Sequence, residues 1–171
     1  MKALVINCSD DYNLATEKIA NWLKRKGYEV QKSKPGNDKL IGYDRIYLSA
    51  IYTWDLPILV QEAKRAVNFT KVEIGGPAVS VMADYIFAET GIKPKIGLDN
   101  RFDLEPGQYL SSYTSRGCIR NCEFCSVPII EGGLREISDF ISAPYILDAN
   151  FLACSKKHIE NACEKLASLP F

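Results

Sequence analysis

Short apolar runs alternate with amphipathic stretches over the first hundred residues of the chain. Ala3-Leu-Val-Ile6 is an unbroken apolar run of strand length. Ala15, Ile19, Trp22 and Leu23 then recur at helical spacing on one face, up to Gly27, a helix-stopping position. Tyr28-Glu-Val30 and Asp44-Arg-Ile-Tyr-Leu-Ser49 predict two more strands. Asp55, with Pro57 in the first turn, predicts the start of a helix burying Leu59, Ala63, Ala66 and Val67. Lys71-Val-Glu-Ile74 predicts a fourth strand, ending in Gly75-Gly76-Pro77. A third helix follows, with Ala78, Met82, Tyr85 and Ile86 on a common face, closing near Gly91. Strands alternating with helices argue for a parallel sheet covered on both faces. Residues 1–98 are therefore expected to form a small, doubly wound, Rossmann-like α/β domain.

The pattern then changes. Residues 99–112 have no clear period and read as a connector. From 113 onward a second domain is expected: a strand at about Ser112–Ser115, a cysteine loop, a strand at Tyr145-Ile-Leu147, and a last helix. Ser155 would cap that helix, with Ile159, Ala162, Cys163 and Leu166 along one face and Pro170 beyond it.

Composition narrows the function classes. Apolar residues make up 47% of the 171, enough for a hydrophobic core, and Lys+Arg and Asp+Glu both total 21. The zero net charge gives no electrostatic footprint of nucleic-acid binding. The apolar run at the start is too short for a signal peptide, and no stretch approaches the ~20 apolar residues of a membrane helix. Six cysteines without a secretion signal fit a reducing cytoplasm.

Three of those cysteines carry the chemistry. Cys118, Cys122 and Cys125 lie in Cys-Ile-Arg-Asn-Cys-Glu-Phe-Cys. Three thiolates at this spacing can hold three irons of a cubane 4Fe–4S cluster, leaving the fourth iron open, whereas cubanes normally take four cysteines. The same trio also suits a structural zinc site with a fourth ligand from Cys154, Cys163, Cys8 or His158, or unmetallated thiols. No second Cys-x2–4-Cys knuckle supports zinc.

The Cys-x3-Cys-x2-Cys loop, with Phe124 before its last cysteine and Tyr113-Thr-Ser-Arg-Gly before its first, resembles that of the radical S-adenosylmethionine (SAM) enzymes. Within them it is similar to the subset carrying an amino-terminal cobalamin-binding-type domain. The resemblance implies that the amino and carboxylate groups of SAM chelate the open iron. One electron would then cleave SAM to methionine and a 5′-deoxyadenosyl radical. It implies further that Phe124 lies near the adenine of SAM, the other reading being a core aromatic. Asp148 and Asn150, at the end of the second strand, stand where the family supplies polar groups to the SAM ammonium. Arg116 and Arg120 are candidates for tuning cluster charge, and Gly132-Gly133-Leu-Arg135 matches the segment after the cluster loop.

The resemblance also implies a low-potential electron donor of the flavodoxin or ferredoxin type, and sensitivity to oxygen. Cobalamin is not expected, because the Asp-x-His-x-x-Gly segment of the family is replaced by Asn7-Cys-Ser-Asp-Asp-Tyr12. The family builds a partial (β/α)6 barrel, and six units need roughly 190 residues at the rate of the eightfold barrel. The segment from 113 onward is thus expected to be the start of that barrel, in a truncated form of a longer enzyme, with little activity alone. An incomplete barrel would expose an unpaired sheet edge and favour self-association.

Overall fold

A computed structural model describes residues 1–36 and 39–169. The chain divides into two units, Met1–Glu105 and Pro106–Phe171, and the division falls inside the expected connector.

The first unit is built on a four-stranded parallel sheet. Its strands are β1 (Lys2–Asn7), β2 (Glu29–Ser33), β3 (Arg45–Ser49) and β4 (Lys71–Gly75), in the order β2-β1-β3-β4. Side chains alternate across a strand, and here each face has its own helical cover. Leu4, Ile6, Ile46, Leu48 and Ile74 pack against Leu59, Val60, Ala63 and Ala66 of α2 (Leu56–Ala66). Ala3, Val5 and Tyr47 point the other way, onto Ile19, Ala20 and Leu23 of α1 (Leu14–Arg25). This two-sided burial explains why β1 reads as a continuous apolar run, whereas the edge strand β2 is mostly polar and exposed. The arrangement is a mixed α/β one compatible with a Rossmann-like fold. Order reverses between β1 and β3, and the carboxyl ends of those strands form the switch point of the sheet.

Several local expectations need correction. The third helix is broken at Met82 into α3 (Pro77–Val81) and α4 (Ala83–Thr90). Met82 leaves helical geometry at φ −117° and ψ 37°, and its side chain is exposed rather than on a buried face. Val67 lies just past the end of α2 and is likewise exposed. Asp55 stands at the N-cap of α2 but makes no capping bond; its carboxylate accepts from the Ser9 hydroxyl. The segment before the division also has more order than its lack of period suggested. Phe102 packs edge-on to Trp22 and Tyr47, and Arg101 binds both Asp99 and Glu73.

The second unit holds short strand segments. The strand expected at 112–115 is two pieces, β5 (Ser111–Ser112) and β6 (Ser115–Arg116). β5 pairs in parallel with β8 (Tyr145–Ile146), and β6 pairs antiparallel with β7 (Arg135–Glu136). A four-residue helix, α5 (Val127–Ile130), lies between β6 and β7. The last helix, α6 (Lys156–Ala167), is capped as expected: Ser155 Oγ accepts from His158 N–H. Its buried residues are His158 and Ala162, whereas Cys163 is exposed, contrary to the expected face. Pro170 lies outside the described residues. No described helix is long and apolar enough to cross a membrane.

Candidate metal centre

The cysteine loop leaves β6 through Gly117, and the local backbone explains that residue. Gly117 has φ +77°, and a Cβ there would sit 2.2 Å from the carbonyl oxygen of Gly133. Both facts admit only glycine. Cys118 then forms a parallel bridge with Gly133, so the two ends of the loop meet backbone to backbone. Glu131 ties the same neck: its carboxylate accepts from Gly117 N–H at 2.8 Å and pairs with the buried Arg116 guanidinium at 3.0 Å. Arg116 also lies over the Tyr113 ring, 3.3 Å from its centroid. Arg116 therefore fastens the base of the loop, while Arg120 is exposed on it. Arg135, in the segment singled out after the cluster loop, donates to the Glu131 carbonyl at 2.9 Å, a partner the sequence did not reveal.

All six cysteines are free thiols, and the three of the loop are partly exposed. Within the loop, Cys125 N–H donates to the Cys122 carbonyl at 3.0 Å. Cys118 is set apart from the other two. Its sulfur accepts from Arg120 N–H at 3.3 Å and from the Asn150 side-chain amide at 3.3 Å. Those two donors, the backbone one first, hold the Cys118 thiol below its ordinary pKa and favour the thiolate that binds metals. Among the described residues no three His, Cys, Asp or Glu side chains are gathered as a metal site. Binding a metal would thus draw the three sulfurs together. The donor set itself fits a soft metal or an iron–sulfur centre: three free thiols on one loop, with its neck fixed.

The other expected site residues are found around this loop. Phe124 is 94% exposed, so it is no core aromatic; its ring is presented to solvent between Cys122 and Cys125. Asp148 Oδ1 accepts from Thr114 N–H at 2.7 Å, and Oδ2 accepts from the Thr114 and Ser115 hydroxyls at 2.6 and 2.7 Å. That carboxylate clamps the end of β8 to the strand leading into the cysteine loop. Asn150, two residues on, reaches Cys118.

His158, the only histidine and one of the residues considered as a fourth zinc ligand, belongs to the same network. It is buried, with Nε2 3.2 Å from Thr114 Oγ1 and Nδ1 4.0 Å from Glu136 Oε2. The Thr114 hydroxyl proton goes to Asp148, so its oxygen is the acceptor for His158 Nε2–H. Of the other residues considered as a fourth zinc ligand, Cys8 and Cys154 are buried and Cys163 is exposed. Burial, followed by the Glu62 and Asp55 carboxylates, pushes the Cys8 thiol up to about 12. It stays a neutral thiol at physiological pH.

No family model matches the chain, and no curated protein matches it. The chain has a mixed α/β arrangement with a four-stranded parallel sheet in its first unit, and a second unit that carries the Cys118–Cys125 loop.

Proposed function

We infer that the chain is a radical SAM protein whose Cys118, Cys122 and Cys125 hold a 4Fe–4S cluster, with SAM bound at the iron they leave open. One observation carries this reading: the Cys-x3-Cys-x2-Cys loop lies between two parallel-paired strand segments, and the far end of the second returns to the first cysteine. When bound, the cluster supplies the single electron for reductive cleavage of SAM, drawn from a low-potential donor of the flavodoxin or ferredoxin type.

The chain's own residues have distinct tasks in this reading. The three thiolates match the preference of iron for sulfur ligands. Phe124 offers an unburied apolar ring against which an adenine can stack. Asp148 keeps a carboxylate at the end of β8, and its Oδ1, with a single donor among the described residues, retains a lone pair for the SAM ammonium. Arg116 and Glu131 hold the loop neck together. The first unit is read as a cobalamin-binding-type domain without cobalamin. The residues after β1 support this, since Asn7, Ser9 and Asn13 are committed to hydrogen bonds within their own turn and to Ser49 and Asp55.

The test is anaerobic reconstitution with iron and sulfide, with iron and zinc counted on the same sample. The reading expects a brown protein with about four irons per chain, and loss of iron, colour and SAM binding together in Cys122→Ala. A colourless protein holding about one zinc would replace it with a structural zinc module.

A further inference from the structure

The three cysteines are not equivalent, and the residue that distinguishes them comes from elsewhere in the fold. Among the described residues no donor reaches the sulfur of Cys122 or Cys125, whereas Cys118 Sγ has two. One is local, the Arg120 N–H of its own loop. The other is the Asn150 side-chain amide, 32 positions along the chain.

Asn150 is held firmly where it stands. β8 is registered against β5, and beyond the paired residues Leu147 N–H donates to the Ser112 carbonyl at 2.9 Å. Asp148 then fastens the chain to Thr114 and Ser115 with three hydrogen bonds. After that clamp, the Asn150 carbonyl accepts from Ala153 N–H at 3.1 Å, which fixes the turn leading to α6. The backbone that carries the amide is thus fixed on both sides of Asn150. A long-range donor of this kind orients a sulfur ligand and offsets the negative charge it carries. Such outer partners typically change metal affinity by about 10–100-fold, and hydrogen bonds to sulfur are one determinant of iron–sulfur potentials.

We propose that Asn150 is a positioning residue for the Cys118 sulfur, one that raises both the metal affinity and the reduction potential of the centre bound by the three cysteines. The proposal rests on the reading that these cysteines bind a metal centre. It gives Asn150 a partner other than the SAM ammonium that the sequence suggested. An N–H donor to a ligand sulfur stabilises the reduced, more negative state, so its loss lowers the potential.

The test uses the full chain and two independent readouts. In the metal-free protein, the Asn150 side-chain amide signal in a nitrogen–proton correlation spectrum is expected to move in Cys118→Ala and to stay in Cys163→Ala. No movement in Cys118→Ala overturns the proposal. In the metal-loaded protein, Asn150→Leu is compared with wild type, folding being checked by circular dichroism. Cobalt(II), followed by its thiolate absorption, is expected to bind about 10–100-fold more weakly. The reconstituted cluster should keep its iron count and shift to a lower potential. Unchanged affinity and potential overturn the proposal. If wild type takes up neither cobalt nor iron while the amide still responds to Cys118→Ala, the hold on Cys118 is supported and the metal-binding reading falls.

Discussion

Gly117 shows how much a single backbone position decides around the cysteine loop. A methyl group there meets the Gly133 carbonyl at 2.2 Å, and the positive φ penalises any side chain separately. Gly117→Ala is expected to cost at least ~1–3 kcal/mol from the backbone conformation alone, read as a lower denaturant midpoint, and to abolish metal uptake by displacing Cys118. The thiols give a second check at this scale. Alkylation of the native protein, mapped by mass spectrometry, should label Cys118, Cys122, Cys125 and Cys163. Cys8 and Cys154 are buried and should react only after unfolding. Labelling of Cys8 in the native state would contradict its place between β1 and the α2 face of the sheet.

At the scale of elements, α6 has its N-terminus tied to β7. Glu136 accepts from Ser155 N–H and from the Ser155 hydroxyl, and those bonds, the backbone one first, hold its carboxyl below the ordinary glutamate range. A carboxyl whose pKa is lowered in the folded state adds stability that is complete above its unfolded value. That stability is lost as pH falls through the lowered folded value. The melting-temperature gap between wild type and Glu136→Ala should therefore be widest near neutrality and close below about pH 4. A gap that stayed constant through acid pH would remove the charge from this account.

Legibility follows the range of the interaction. The centre of the first unit's sheet was legible because two-sided burial writes β1 as an apolar run, Ala3–Ile6, while β4 showed itself by alternation. The break at Met82 was not, since neither glycine nor proline marks it and the apolar period runs through it. β7 was missed because Arg135 and Glu136 are exposed and charged, leaving no period to read. The cysteine loop announced itself by spacing. The resemblance pointed to Asp148 and Asn150, but not to their contacts. Asn150 reaches Cys118, while Asp148 and His158 bind Thr114 ahead of the loop, across 32 to 44 positions that come together only once β5 and β8 pair.

Across the whole molecule, large apolar side chains are exposed on both units, Ile41 and Trp54 among those of the first. On the second they lie around the cysteine loop and β8. Besides Phe124, Leu152 is 82% exposed, and Ile119, Ile129, Tyr145 and Leu147 are exposed as well. Among the described residues, β5 and β8 form a sheet of two strands. Exposed apolar groups beside an unpaired strand edge favour association. The average mass from light scattering is expected to rise with concentration and to fall back toward one chain in Leu152→Lys. A single-chain mass at all concentrations would show that these side chains are tolerated in water.

The backbone contact between Gly117 and Gly133 also bears on engineering. Because the loop leaves and returns at one point, its two ends are already as close as a graft would require. A host protein needs two adjacent backbone positions, one of them able to take a positive φ, and an arginine placed as Arg116 is to pair with Glu131, to receive the segment between these glycines as a cassette. Closing a flexible loop costs more free energy as it lengthens, though only slowly. Extra residues near Ile119 or Arg120 should thus be tolerated far better than one added methyl group at the neck.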